Sequence, residues 1–176
     1  MMANLSKLLD ELKEAVDNMD KKISKFGHAP VIKVNIKTLG GVEPPKYATT
    51  ESAGADLCLH NMTEKTTILP HNTVIAHTGI YLEIPDGYVG LIYARSGLAT
   101  KLGVAPANKV GVIDSDYRGE ILVALHNHSD ENVTLTNGER IAQIVFADYY
   151  KADFQVVDSF SESERGTGGF GSTGKN

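Results

Sequence analysis

Apolar residues in the first part of the chain recur at a helical spacing. From Leu5 to Phe26 they alternate at intervals of four and three residues, which is the a/d stripe of a heptad repeat. Charged residues fill the other face, and Gly27 with Pro30 ends the pattern. The pattern predicts an amphipathic helical extension over residues 1–27. Two placements remain open: the helix lies on its own domain, or it forms a short coiled coil between subunits.

The apolar spacing changes to two from Val31 onward. Val31–Ile36 alternates as a strand does, and further short apolar runs follow, separated by turn signals. The signals lie at Pro70–Asn72, Pro85–Gly87 and Asn137–Gly138, and the last two are typical of hairpins. Strands spaced by about 8–12 residues, with no helical pattern between them, predict an all-β barrel or sandwich.

The strand pattern does not continue into residues 161–176. This segment is rich in glycine and contains one large apolar residue, Phe170, so it cannot fold alone. It is either a frayed terminus or an arm that closes over phosphates. In the second case Phe170 would lie on a base, and glycine amides would bind phosphate together with Arg165, Ser172 and Thr173.

Composition and charge narrow the class of protein. The length of 176 residues suits one domain with an extension, and the net charge of −5 argues against general nucleic-acid binding. The apolar runs are short of the roughly 18 residues that a membrane span needs, and the charged N-terminus is unlike a secretory signal. A single cysteine, Cys58, fits a reducing compartment and is interpreted as a small packed residue. We therefore expect a cytoplasmic protein, or one of the nucleus or host-cell interior if its source is eukaryotic or viral.

The arginines are few and share one setting. Each has a glycine within two residues, and they are Arg95, Arg118, Arg140 and Arg165. A guanidinium fork binds phosphate through two hydrogen bonds, and glycine lets phosphate reach the backbone N–H groups. The pattern suggests a small polyanionic ligand, accompanied by a divalent cation.

One stretch, Gly111–Ile121, concentrates candidate chemistry. Two glycines bracket Asp114, Asp116 and Tyr117, with strand-like residues on both sides. This arrangement predicts a β-hairpin whose tip carries carboxylates and an aromatic ring, and an acid fixed there can act as a general base on water. The alternative is an ordinary turn, because Asp, Ser and Gly are common turn residues.

A metal site is a weaker hypothesis. His126 and His128 are spaced to share one face of a strand, but no third ligand lies near them in sequence. A polar strand end is the simpler interpretation.

Five segments in order resemble the five motifs of the trimeric dUTPases, and the resemblance covers roughly residues 30–176. They are Ala53–Leu57, Ala94–Ala99, Gly111–Glu120, Gly138–Ile144 and Arg165–Gly174. The resemblance implies a distorted jelly-roll-like β-barrel of the β-clip, dUTPase-like class over residues 28–160. It also implies a homotrimer with shared active sites, and a flexible C-terminal arm, residues 161–176, closing over them. Ala94 departs from the pattern, since the family usually has proline there. Arg118 stands at a position that varies in the family, so the resemblance excludes it from the arginines expected to bind phosphate.

The resemblance further implies an activity, that of a dUTP diphosphatase. Asp114 would activate a water that attacks the α-phosphorus of dUTP, giving dUMP and pyrophosphate. The reaction would depend on Mg²⁺ held by triphosphate oxygens and waters. Asp56 would contact that ion only through water, which suits a cation that keeps its hydration shell.

The implied substrate contacts come from three chains. One chain would supply the Asn108–Leu122 hairpin, with Tyr117 against the deoxyribose, where a 2′-hydroxyl would clash; the uracil would meet Asn108, Val112, Ile113 and Leu122. A second would supply Asp56 and the phosphate-binding residues Arg95, Ser96, Gly97 and Gln143. The third would supply the arm, with Arg165, Phe170, Gly171, Ser172 and Thr173. Arg140 would brace the site without touching substrate, although its role stays open.

Two other functions remain as alternatives. The first is a dCTP deaminase-like enzyme, and the second is a non-catalytic or regulatory partner-binding protein on the same fold. Asp114 and Tyr117 in the hairpin, with Phe170–Gly171 in the tail, favour dUTP hydrolysis. Neither nucleic acid nor membrane is expected as a partner.

Overall fold

The computed structural model describes residues 7–9, 11–16 and 29–169. Residues 7–9 and 11–16 are helical, as the heptad spacing predicts, and the rest of the predicted helix over residues 1–27 lies outside the described residues. The apolar side chains in this part are exposed, and Leu12 for example is 61% exposed. In the part of the chain that the structure describes, no helix is both long and apolar enough to cross a membrane.

Apart from one short helix, the regular structure of the remainder consists of antiparallel strands, so the all-β prediction is confirmed. The strands are β1 Asn35–Thr38, β2 Lys46–Tyr47, β3 Ala55–Cys58, β4 Lys65–Ile68, β5 Thr73–Glu83, β6 Tyr88–Ala94, β7 Val104–Pro106, β8 Gly111–Ile113, β9 Glu120–Asn127, β10 Val133–Thr136 and β11 Arg140–Asp148. One sheet has the order β1-β5-β9-β7, a second has the order β2-β3-β11-β6-β8, and β4 pairs with β10. The strand predicted at Val31–Ile36 begins later, at Asn35.

Alternate burial along the strands builds the core of this jelly-roll-like barrel. In β9 the side chains of Ile121, Val123 and Leu125 are buried, whereas the residues between them are not. One core cluster collects such residues from both large sheets, including Leu82 of β5 and Ile144 of β11. Each buried aliphatic side chain contributes about 1.5–3 kcal/mol relative to exposure, so this cluster holds the two sheets together.

The predicted turns form, but they do not make hairpins. At Pro85–Gly87 the N–H of Tyr88 donates to the carbonyl of Pro85, and Gly87 has a φ of 83°. At Asn137–Gly138 the glycine has a φ of 89°. Each turn nevertheless joins strands of different sheets, because β5 and β6 belong to separate sheets, as do β10 and β11. The hairpin interpretation of these two signals was wrong, since local turn chemistry does not specify which sheet the next strand joins.

The same correction applies to Gly111–Ile121. Its first strand, β8, pairs with β6, whereas β9 pairs with β5 and β7. The segment therefore crosses from one sheet to the other and is not a two-stranded hairpin. Residues 114–119 form the connection, which we call the Asp114 loop.

A short helix, α1 Ser96–Leu102, interrupts the strands, although the sequence predicted none here. It begins after Arg95, whose backbone is extended, and ends at Gly103 in the left-handed conformation with a φ of 67°. Leu98 is its buried residue. A seven-residue helix with one buried side chain is too short to show a helical period of apolar residues in the sequence, which explains why it was not predicted.

Candidate functional site

Four of the predicted site residues meet at one open cavity of about 350 Å³, although they come from distant parts of the sequence. Asp56 lies on β3, Gln143 on β11, and Arg95 with Ser96 at the start of α1. Strand pairing explains the meeting, because β11 lies between β3 and β6 and Gln143 stands opposite Asp56. We call this the Asp56 cavity; its other lining residues are Ala48, Ser52, Ala53, Gly54 and Val145.

Two arginines hold the carboxylate of Asp56 at this cavity. Arg95 Nε lies 2.8 Å from Asp56 Oδ1, and Arg140 Nη1 lies 3.2 Å from Asp56 Oδ2. The Asp56 side chain is only 14% exposed, so the ion pairs are partly shielded from water. Two guanidinium groups on one carboxylate leave an excess positive charge, and their remaining N–H groups can bind an anion. Arg140, whose role the sequence leaves open, thus contacts the site through Asp56.

Gln143 is held by one hydrogen bond, and the absence of a side chain at Gly54 leaves room for it. Its Nε2 donates to the carbonyl of Ala94 at 2.9 Å. A Cβ on Gly54 would collide with Gln143 Oε1 and lie 3.1 Å from Cδ, so glycine leaves room for the amide. Gly97, also predicted to bind phosphate, is exposed in α1 and does not line the cavity.

The residues predicted to read the base and the sugar lie outside the Asp56 cavity. Val112 and Ile113 belong to β8, Leu122 belongs to β9, and Asn108 lies in the connection between β7 and β8. Asp114 is exposed at the end of β8, where its carbonyl accepts the N–H of Tyr117 at 3.2 Å. Within the described residues, the residues predicted to read the base and the sugar are therefore separate from those that line the Asp56 cavity.

The Asp114 loop is fastened to the first sheet by Arg118. Arg118 Nη1 donates to the carbonyl of Ser115 at 2.6 Å and to that of Tyr117 at 3.1 Å. Its Nη2 lies 3.4 Å from Glu83 Oε1 on β5. Arg118 thus contacts its own loop and Glu83, and it is the arginine that the resemblance already excluded from the phosphate-binding set.

Glu120 is a residue that the sequence reasoning missed. Its carboxylate accepts the N–H groups of Thr78 at 3.2 Å and Gly79 at 2.8 Å, and it lies 2.9 Å from Nδ1 of His77. These donors belong to an irregularity in the pairing of β5 with β9, between His77 and Tyr81. Sequence alone gives no sign of that irregularity.

The stability of the fold should depend on pH through the Glu120 carboxylate and its hydrogen bonds to β5. Burial raises the pKa of Glu120, but the hydrogen bonds from His77 and Gly79 together lower it more, so the pKa lies below its ordinary value. A depressed carboxyl pKa stabilises the fold above the unfolded pKa of about 4.3, and this stabilisation is lost as pH falls through the folded pKa. We expect the melting temperature to fall below that pH, and to fall less steeply in Glu120→Gln.

A matched control for that measurement is Glu131→Gln, because Glu131 is exposed. It should follow the native curve of melting temperature against pH. Identical curves for Glu120→Gln and the native protein would contradict the anchoring role of the carboxylate.

The C-terminal arm is described only in part. Arg165 is exposed, and its Nε donates to the carbonyl of Gly168 at 3.0 Å within a local turn. The other arm residues predicted to bind substrate lie outside the described residues; they are Phe170, Gly171, Ser172 and Thr173.

The described residues give little support for metal binding by side chains or for a reactive thiol. They contain no group of three or more His, Cys, Asp or Glu side chains that could hold a metal ion. The rings of His126 and His128 lie 4.4 Å apart, and His126 Nδ1 is 2.9 Å from the hydroxyl of Thr73. Burial and the nearby Asp56 carboxylate raise the pKa of the Cys58 thiol, so it remains protonated at neutral pH.

Comparison with known proteins gives one consistent result. Residues 42–174 match the dUTPase family. A deoxyuridine 5′-triphosphate nucleotidohydrolase of Desulfitobacterium hafniense is 50% identical over 131 residues, which cover 74% of this chain and 86% of that protein. One from Anaplasma marginale is 43% identical over 147 residues, covering 82% and 99% respectively. The dUTPase of Staphylococcus bacteriophage 80alpha, solved with dUPNHPP, is 26% identical with a TM-score of 0.74, covering 82% of this chain and 99% of that one.

Proposed function

The chain belongs to the dUTPase family, and from this premise we propose how its residues carry out the reaction. The protein is a dUTP diphosphatase, which hydrolyses dUTP to dUMP and pyrophosphate. The observation that carries the residue-level proposal is the Asp56 cavity, where Asp56, Arg95, Ser96 and Gln143 converge. A partly shielded cavity with excess positive charge suits a triphosphate.

Asp114 is the general base of the proposed mechanism. Its carboxylate takes a proton from a water, and that water attacks the α-phosphorus while pyrophosphate leaves. The position at the end of a paired strand supports this role, because a base must be held within hydrogen-bond reach of the water. Exposure of Asp114 leaves it accessible to substrate.

The segment around the Asp114 loop would recognise deoxyuridine. Backbone groups of Val112, Ile113 and Leu122, helped by Asn108, bind the uracil edge. Cytosine is rejected because its 4-amino group reverses the donor and acceptor pattern, and thymine because its methyl group is too large. Tyr117 packs against the deoxyribose, where the 2′-hydroxyl of UTP would clash.

The triphosphate would lie in the Asp56 cavity. Arg95, Ser96 and Gln143 donate hydrogen bonds to its oxygens in the cavity, and Gly97, which follows Ser96 outside the lining, offers its backbone N–H to an oxygen that extends beyond it. Arg140 keeps Asp56 in place through their ion pair. The carboxylate that lines the cavity is that of Asp56, and both its oxygens already contact arginines. The described residues therefore fit a hydrated Mg²⁺ better than an ion bound directly to the carboxylate. Asp56 would therefore hold the hydrated ion through water, and Mg²⁺ when bound would neutralise charge on the triphosphate.

We further propose that the protein is a homotrimer with shared sites. Separation of the Asp114 loop residues from the lining of the Asp56 cavity within one chain supports this arrangement. A second support is the segment that leads into the arm, because its apolar side chains are exposed; Phe154 and Phe160 are 90% and 91% exposed. In the trimer, the arm of a third chain brings Arg165, Gly171, Ser172 and Thr173 to the phosphates and Phe170 to the uracil.

The substrate preference is tested by measuring pyrophosphate release from dUTP, dCTP, dTTP and UTP side by side. We expect dUTP to be hydrolysed with a kcat/KM far above those of the other three nucleotides. Release from dCTP or UTP at a comparable rate would contradict the recognition scheme. Formation of deoxyuridine products from dCTP would indicate a deaminase instead.

The N-terminal helical segment is proposed to act outside catalysis. Deleting residues 1–27 should leave kcat and KM unchanged, because the core cluster is built from residues between Ala55 and Ile144. If the segment forms a coiled coil, the deletion should weaken the trimer in sedimentation at low concentration. Leu12→Ser should then share that effect, and its neighbour Lys13→Ser should not. Lost turnover in trimers that lack the segment would contradict the proposal.

A further inference from the structure

The ring of Tyr117 stands directly over Gly119. A Cβ on Gly119 would collide with the Tyr117 hydroxyl and would lie 2.5 Å from Cζ and 2.9 Å from Cε2. The backbone itself does not call for glycine, because Gly119 is absent from the glycines with positive φ. The position of the ring, and not the conformation of the chain, therefore depends on the absence of a side chain here.

The far end of the ring is held by the next residue. Tyr117 Oη donates to the carbonyl oxygen of Glu120 at 2.9 Å. The ring thus lies over the backbone of Gly119, which has no side chain, and its hydroxyl is held by a hydrogen bond. Tyr117 as a whole residue remains 42% exposed, so it is accessible to a ligand.

Glu120 is itself anchored on the opposite strand. Besides the carboxylate contacts with His77, Thr78 and Gly79, the Thr78 hydroxyl donates to the buried carbonyl of Ile121 at 2.6 Å. Gly79 has a φ of 66° and is packed closely, since a Cβ there would lie 2.8 Å from Val42 Cγ2. The residue whose carbonyl holds the tyrosine is therefore part of a closely packed, hydrogen-bonded junction between β5 and β9.

We propose that Gly119 and Glu120 form a seat that sets the position of the Tyr117 ring, and that Gly119 is thereby a specificity-determining position for the sugar. The inference rests on the proposed function, in which Tyr117 excludes the 2′-hydroxyl. Gly119 acts as a positioning residue, because its effect on substrate passes through the ring. Discrimination between dUTP and UTP depends on one hydroxyl, so a small displacement of the ring is enough to weaken it.

The principal test is Gly119→Ala. A tyrosine side chain can swing aside, so the variant should fold with a native melting temperature, while the ring leaves its seat. We expect the ratio of kcat/KM for dUTP to that for UTP to fall by roughly 10-fold or more. The loss should appear mainly as a raised KM for dUTP with kcat little changed, because Asp114 is not displaced. Gly40→Ala is the matched control, since a Cβ there meets nothing within 4 Å, and it should keep the native ratio.

A double-mutant cycle separates a positioning role from a general one. In a Tyr117→Ala background, which itself lowers the ratio, Gly119→Ala should cause no further change. Tyr117→Phe keeps the ring over Gly119 but loses the bond to Glu120, so its ratio should be intermediate. This second variant also tests the seat if Gly119→Ala does not fold, because an unchanged ratio in Tyr117→Phe would overturn the part assigned to Glu120.

The outcomes distinguish failure of the seat from failure of the sugar assignment. A native ratio in folded Gly119→Ala, with a lowered ratio in Tyr117→Ala, overturns the seat alone. The seat is also overturned if Gly119→Ala lowers the ratio in the Tyr117→Ala background as much as it does in the native protein. Gly119 would then act independently of the ring. A native ratio in Tyr117→Ala overturns the sugar role of Tyr117, and the inference with it.

Discussion

Asp114→Asn is expected to bind a non-hydrolysable dUTP analogue as the native protein does, while its kcat falls by roughly 10²–10⁴-fold. Asparagine has nearly the same shape as aspartate but cannot accept the proton of the attacking water. The loop should keep its conformation, because the bond from Tyr117 reaches the backbone carbonyl of residue 114 and not its side chain.

Single-turnover hydrolysis and titration calorimetry with the analogue measure the two effects separately. Asp116→Asn is the matched control, because it removes a second exposed carboxylate from the same loop. It should retain native turnover. A near-native kcat in Asp114→Asn would refute the assignment of the base, and lost analogue binding would show that the variant disturbs the loop.

Truncation after Ser163 is expected to reduce kcat/KM by roughly 10²–10³-fold without lowering the melting temperature. The deletion removes Arg165 and every other arm residue proposed to bind the phosphates or the uracil. The fold should be unaffected, because residues 164–169 are mostly exposed and contribute nothing to the core cluster.

A shorter deletion provides the control for this truncation. Removing only Lys175 and Asn176 keeps all the proposed arm contacts, so activity should remain native. If the truncation after Ser163 leaves the rate unchanged, the arm does not clamp the substrate. If it lowers the melting temperature, the arm has a structural role that the described residues do not indicate.

Much of the fold could be predicted from the alternation of apolar residues and from turn chemistry. What escaped prediction depends on long-range pairing. Pro85–Gly87 is a turn as predicted, yet it leads from β5 into a strand of the other sheet. Local residues determine how the chain turns, but the pairing of distant strands decides where the next strand lies.

The candidate site, like the fold, could be predicted only in part. The motifs identified Asp56, Arg95 and Gln143 as site residues, but only the register of β11 against β3 and β6 accounts for their meeting in one cavity. The contributions of Gly54 and Gly119 could not be predicted, because a sequence shows a glycine but not the side chain that stands over it. The anchor at Glu120 was missed for a related reason, since its partners lie about 40 residues away at an irregular pairing.

The central claim is that each active site is completed by different chains, and mixed trimers test it most directly. Asp114→Asn and Arg95→Ala are each expected to be inactive alone, because the first lacks the base and the second lacks a phosphate ligand and a partner of Asp56. Co-expressed with different affinity tags and purified through both, the two chains form trimers in which a native Asp114 loop faces a native Asp56 cavity.

An equal, random mixture before tag selection should recover about a quarter of native activity, because about three quarters of the trimers contain both chains and each of those has one intact site. Doubly tagged trimers should recover about a third. That recovery of pyrophosphate release from dUTP is the result we predict. If mixed trimers form and remain as inactive as the two parents, each site belongs to a single chain, and the shared-site account is wrong.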